Sequence, residues 1–184
     1  GVVQCGDTPG FLGNRIGVYA LQVGMHEALN SAIPIEDADA LVGRPMGIPK
    51  TGIFGLYDLI GVDLMSDVVT SLRTILPDGD DFHSVGVDHQ RVTQMIADGY
   101  TGNKGKGGFY RHGAEGREVQ DSLTDTNQLV WRQVKSDLPE AAQRAAEADA
   151  RNEDPLGPVL DDTRPAAQYA KRVLVRILSY AASR

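Results

Sequence analysis

"DTPGFLGNRIGVYALQVGMHEALNSA", residues 7–32, decides the reading of this chain. A Pro-Gly turn at Pro9 and Gly10 gives way to Asn14 and Arg15, and from Asn14 to Ala32 the apolar residues return with a helical period. Ile16, Tyr19, Ala20 and Val23 form one row, and Val18, Leu21, Met25, Ala28, Leu29 and Ala32 form another. Two rows predict burial on more than one side, as in the axial helix of a small helical domain. At 1.5 Å per residue such a helix is roughly 28 Å long. Pro34 ends it. Asn14 stands at its start, where asparagine is a favoured N-cap. An amide at such a junction can equally donate to one ligand group and accept from another.

Working outward, "IEDADALVG" (35–43) predicts a short amphipathic helix, with acidic residues in its first turn and Gly43 as its stop. "RPMGIPKTG" (44–52) is broken by Pro45, Gly47, Pro49 and Gly52. "IFGLYDLIG" (53–61) is helical again. Asp63 is placed to cap a segment whose Leu64, Met65, Val68, Val69, Leu72, Ile75 and Leu76 share a face of period 3.6. "PDGDD" (77–81) is a turn, and residues 88–98 predict a helix ended by Gly99. The character changes at "GNKGKGGFYRHGAEGREVQD" (102–121), where glycines and two aromatics lead into a hairpin around "GAEG".

"NQLVWRQV" (127–134) reads as a strand. Residues 137–150 read as a helix with Asp137 and Glu140 spaced as a capping box. A polar, proline-broken connector follows. From Ala166 a long helix carries Val173, Leu174, Ile177, Leu178, Ala181 and Ala182 on one side. A shift of 153 positions lays this helix over the first, with Leu174 on Leu21, Leu178 on Met25 and Ala181 on Ala28, while Ala167 falls on Asn14. The opening "GVVQCGD" reads as a short strand entered midway, and the last helix carries no stop signal, so both ends predict a longer parent protein.

Composition narrows the function. With 184 residues, 41% hydrophobic and 23% charged, the chain suits one globular domain with an extension. It contains no apolar run of the ~18–20 residues that span a membrane, and no secretory leader pattern at its start. The net charge is −7, and the basic residues are scattered apart from Lys104, Lys106 and Arg111. That pattern excludes a nucleic-acid binder. Cys5 has no disulfide partner and is expected to pack in the opening strand.

His26, His83, His89 and His112 lack ligand spacing, and "HEALN" (26–30) has Asn30 where a zincin carries its second histidine, so no metal site is expected. "GNKGKGG" runs into Phe109 and Tyr110 rather than a helix and does not read as a phosphate-cradling loop. Contact of Lys104 or Lys106 with a ligand phosphate is the residual expectation there. From the residues alone the chain holds no self-sufficient active site, and Asn14 is the group placed to meet a ligand.

Asp7 to Arg15 resembles the D-T-P-G-F-x-x-N-R stretch that opens the C-terminal domain of 3-hydroxyacyl-CoA dehydrogenases. The likeness continues in order. "DADALVG" matches an acidic D-A-L-x-G helix, Pro45, Met46 and Gly47 match a P-M-G turn, and Asp58, Gly61 and Asp63 match D-x-x-G-x-D. Gly102 to Tyr110 stands where the family carries G-x-K-x-G-x-G-F-Y. Residues 111–184 are similar to the long, multidomain members, in which a charged connector leads to a second helical copy.

The resemblance implies a mainly α, 6-phosphogluconate-dehydrogenase-C-terminal-like fold with a short β-hairpin extension and a truncated second repeat. Residues 1–8 would close the last Rossmann strand, 9–110 form the first helical unit, 111–164 form hairpin, helix and connector, and 165–184 form the first helix of the second unit. In function it implies oxidation of (S)-3-hydroxyacyl-CoA to 3-oxoacyl-CoA in cytoplasmic fatty-acid β-oxidation by a full-length homodimer. NAD and a catalytic His–Glu pair would sit on an upstream Rossmann domain, the histidine taking the hydroxyl proton as hydride passes to the nicotinamide.

Of the family's site residues only Asn14 has a counterpart here, to orient that histidine and the substrate oxygen; Lys104 and Lys106 are the candidate substrate contacts. No cofactor or metal is expected within these residues, and the chain alone is expected to be inactive. Two alternatives stand beside this reading: a non-catalytic helical self-association module, and a related β-hydroxyacid dehydrogenase domain with a non-CoA substrate.

Overall fold

Helix α1 (Leu12–Asn30) starts before Asn14, so the asparagine lies inside the first turn and does not cap it. The cap position belongs to Phe11, held at φ 53° with no side-chain hydrogen bond. The computed structural model describes residues 4–122 and 128–184. Residues 4–7 form no strand, Cys5 is exposed rather than packed, and the rest of the expected opening strand lies outside the described residues. Helix α1 buries Val18, Tyr19, Leu21, Val23, Met25 and Ala28, the two-sided burial its pattern requires. It packs against α3 (Gly52–Ile60) and against α8 (Pro165–Ala182).

Helix α2 (Ile35–Leu41) leads through a 3-10 turn at Arg44–Met46 into α3, and α4 (Val62–Ile75) follows at once. Gly61 holds the cap of α4 and Asp63 sits in its first turn, so Asp63 does not cap it as expected. Between α4 and α5 (Gln90–Ala97) another 3-10 turn, Asp81–Ser84, is capped by Asp80, which accepts the Phe82 N–H at 2.9 Å. Strands β1 (Tyr110–Gly113) and β2 (Gly116–Gln120) form the expected hairpin, with Gly113 opposite Gly116. The strand expected at 127–134 is β3 (Trp131–Gln133); it pairs antiparallel with β2, Val119 opposite Arg132, and widens the hairpin to three strands. Part of that span, Asn127, lies outside the described residues.

Helix α6 (Glu140–Ala150) has Pro139 at its cap and no side-chain cap bond. The Asp137–Glu140 box does not form, because Pro139 presets the entry φ and the helix starts only after it. A short helix α7 (Gly157–Asp161) interrupts the connector. Helix α8 buries Ala167, Tyr169, Ala170, Val173 and Tyr180 and leaves Leu178 59% exposed, so its inner face is turned from the one the aliphatic pattern selected. The two tyrosines decide this. Each buries a full ring and finds a partner for its hydroxyl, Tyr169 donating to Gly24 O at 3.1 Å and Tyr180 to Asp80 Oδ1 at 2.9 Å.

Most of the recurrent motifs meet in one buried polar knot. Asp39 accepts the Phe54 N–H at 2.7 Å and the Gly55 N–H at 3.0 Å, capping α3 from a distance where Thr51 supplies no side-chain bond. Tyr110 Oη donates to the same carboxylate at 2.9 Å. Asp58 accepts the N–H groups of Phe109 and Tyr110 at 2.8 and 2.7 Å. A side chain at Gly108 would collide with Asp58, so the Gly-Phe-Tyr order has a mechanical basis: close approach, then core, then hydroxyl. Phe109 is fully buried, edge-on to Phe54 at 4.8 Å. Burial outweighs these hydrogen bonds and pushes both carboxyls up to about 7. Two ion pairs tie the sheet region to α2: Arg132 grips Glu36 at 2.6 and 3.1 Å, and Lys135 reaches Asp37 at 2.7 Å.

Candidate functional site

A groove of about 460 Å³ opens between α1, the Gly47–Pro49 loop, α3 and α4. Gly13 and Gly17 of α1 form its floor, while Ile48, Pro49, Ile53, Leu56, Met65 and Val68 build its walls. These elements supply apolar groups for a simple reason. The helices turn a second apolar row away from the main core, and nothing else among the described residues covers it. Ile60 of α3, on the groove, is 37% exposed. The lining of the groove is predominantly apolar, as ligand-binding grooves commonly are.

Asn14 lies on this groove and is its one polar side chain among the described residues. It is exposed, and its amide is engaged by no other group among the described residues. The arrangement can hold an apolar chain along the walls and orient an oxygen at the α1 end. It supplies no base, since an amide takes up no proton near neutral pH.

The two candidate lysines lie elsewhere. Lys104 Nζ pairs with Asp63 Oδ1 at 2.7 Å, and hydrogen bonding to that lysine holds the Asp63 carboxyl below its ordinary value. Lys106 Nζ donates to Asp98 O at 3.0 Å and sits over the Tyr100 ring. Neither lines the groove, so Asn14 and the lysines are not brought together. The glycine-rich run is a tight bend closed by a Gly102–Gly107 bridge, and a strand follows it. It therefore lacks the helix N-terminus that cradles a dinucleotide phosphate, so this run does not fit NAD.

Two of the four histidines serve local roles: His26 bonds Asn30 at 2.9 Å and His83 bonds Pro77 O at 3.0 Å. No cluster of three His, Cys, Asp or Glu able to hold a metal occurs among the described residues, and no helix searched there is long and apolar enough to cross a membrane. Sequence reading passed over Arg15, which is buried beside Asn14 against Asp80 and Tyr180. The signal was present, because residues 15, 18, 19 and 22 share one helical row and all four are buried.

Residues 10–112 match the family described as 3-hydroxyacyl-CoA dehydrogenase, C-terminal domain. The chain belongs to that family. The match takes in α1 to α5, the groove, the polar knot and nearly all of β1; the remaining strands and α6 to α8 lie beyond it.

Among curated proteins the chain is 39% identical over 123 residues to a putative fatty acid oxidation complex trifunctional enzyme of Rickettsia prowazekii, covering 66% of this chain and 17% of that protein. It is 34% identical over 111 residues to a probable 3-hydroxyacyl-CoA dehydrogenase of Deinococcus radiodurans, covering 60% of this chain and 31% of that one. A protein of the same description from Bacillus subtilis is 30% identical over 154 residues, covering 82% of this chain and 19% of the relative. The chain thus spans less than a third of each of these three. No solved structure matches it significantly.

Proposed function

We propose that this chain is the substrate-facing and dimerising domain of an NAD-dependent dehydrogenase that oxidises (S)-3-hydroxyacyl-CoA to 3-oxoacyl-CoA in cytoplasmic fatty-acid β-oxidation. The observation that carries the reading is the apolar groove with Asn14 as its one polar side chain among the described residues. The walls suit an acyl chain, and the amide suits the oxygen at its 3-position. By donating to one group and accepting from another it orients that oxygen toward the residue that takes its proton, which is worth rate through alignment alone.

Base and oxidant come from the upstream Rossmann domain, which holds NAD and the His–Glu pair; when bound, NAD supplies the hydride acceptor. The exposed Ile60 on the groove and Phe11 at the start of α1 suit contact with that domain, which would shed water from the reacting centre. Helix α8 is the first helix of a second helical unit, and its outward Val175 and Leu178 suit the helices that follow in such a unit. Lys104 and Lys106 reach CoA phosphates only by exchanging their present partners, Asp63 and the Asp98 carbonyl.

The test uses the protein encoded by the full open reading frame, assayed for NADH formation from (S)-3-hydroxyacyl-CoA. Asn14→Ala is expected to lower kcat about 10- to 1000-fold, as for loss of one oriented polar group. The 184-residue chain alone is expected to show no turnover. Unchanged turnover in the variant, or reduction of nicotinamide by the isolated chain, would overturn the reading.

A further inference from the structure

The first turn of α1 is held by something other than a cap. Arg15, next to Asn14, is 5% exposed. Its Nε donates to Tyr180 Oη at 2.7 Å and its Nη2 pairs with Asp80. The Tyr180 hydroxyl in turn donates to Asp80 Oδ1 at 2.9 Å. Roles in this triangle are matched: the guanidinium only donates, the carboxylate only accepts, and the phenol does one of each. Arg184 adds a second cation, 3.4 Å from Asp80 and 4.7 Å over the Tyr180 ring.

The ring of Tyr180 also lies flat on Tyr19, centroids 3.8 Å apart and planes 10° from parallel. Tyr180 therefore grips α1 at two points about one turn apart, with its hydroxyl at residue 15 and its face at residue 19. Both grips come from the last helix, whose Tyr180 lies 165 residues from Arg15 in sequence.

None of these groups lines the groove, but the neighbour of Arg15 does. Successive helical side chains are set about 100° apart around the axis, so pinning residue 15 fixes the direction of residue 14. The first N–H groups of a helix have no intrahelical partners, and Phe11 offers no side-chain bond to replace them, so without an anchor this turn would open and swing Asn14. We infer that Tyr180 and Asp80 are positioning residues, which clamp the first turn of α1 through Arg15 and thereby fix the Asn14 amide on the groove. The catalytic part of this inference rests on the reading of Asn14 given above.

Tyr180→Phe keeps the ring on Tyr19 and removes only the hydroxyl. In the full-length protein it is expected to lower kcat about 5- to 20-fold with KM changed less than about twofold. In an Asn14→Ala background the same substitution should change kcat by less than about twofold, because no amide remains to be positioned. In the 184-residue chain, amide exchange at Arg15, whose N–H bonds Phe11 O at 2.9 Å, should speed up about tenfold, while Leu72 within α4 keeps its rate. Unchanged turnover in Tyr180→Phe overturns the inference, and so does an equal loss with and without Asn14. If Asn14→Ala alone leaves turnover unchanged, the functional reading falls instead, and the exchange rate at Arg15 still decides whether α8 holds the turn.

Discussion

Replacing Asp58 by asparagine tests the balance of forces in the polar knot. The carboxyl is 3% exposed and accepts two backbone N–H bonds, from Phe109 at 2.8 Å and Tyr110 at 2.7 Å. Burial raises it from 3.8 to about 7, so the folded protein binds its proton more tightly than the unfolded chain does. The stabilising contribution of that proton is complete below the unfolded value and is lost as pH rises through about 7.

A rise of this size corresponds to roughly 2–4 kcal/mol between pH 4 and pH 8, at about 1.4 kcal/mol per unit, the upper figure being a ceiling. Asparagine does not titrate, keeps one acceptor and turns an N–H against a donor. Asp58→Asn should therefore destabilise most near pH 4.5 and least near pH 8. Urea unfolding followed by circular dichroism at several pH values reads the difference directly. With a slope near ~2 kcal/mol/M, the gap between the two midpoints should narrow by about 1–2 M across that range. A gap that widens toward high pH would mean that the two N–H bonds outweigh desolvation, and the account of the knot would be wrong.

Two further perturbations probe the groove and the sheet. Gly17 is an exposed helical glycine where an added Cβ meets nothing within 4 Å, so Gly17→Leu should stabilise α1 by about 0.5–1 kcal/mol. It should also raise KM for long acyl substrates about tenfold in the full-length protein; thermal unfolding together with a substrate series checks both, and an unaltered KM would remove the acyl chain from the groove. Arg132→Ala leaves the Glu36 side chain, 4% exposed, without its two-pronged partner, and should cost about 2 kcal/mol in urea unfolding. The figure sits below that of a fully buried pair because the guanidinium is 32% exposed. A cost under about 0.5 kcal/mol would show that the pair contributes nothing to docking of β3.

The helical order from α1 to α5, the hairpin and the long last helix were all legible from periodicity and turn chemistry. Aliphatic residues carry that signal without help from distant partners. Helix starts were less legible, and for identifiable reasons. Asn14 and Asp63 are good capping residues by type, yet a turn entered through Phe11 and a glycine at residue 61 each move the start ahead of them. Asp39 caps α3 from 15 residues away, which no local rule detects.

The inner face of α8 was misread because Tyr169 and Tyr180 were left out of the apolar count, although each buries its ring. The resemblance singles out Asn14, and this residue lines an apolar groove. The triangle that holds Arg15 was not legible, since Asp80 and Tyr180 become its neighbours only after the chain has folded.

The stacking of Tyr19 on Tyr180 has a consequence for how such sequences diverge. The exposed turn at residues 151–154 can lengthen or shorten, provided the last helix still returns to the same register. The two aromatic positions cannot drift separately, because each ring is the other's wall. Descendants should therefore change them in concert, and paired substitution at these two sites would be the trace of that constraint in an alignment of relatives that retain the final helix.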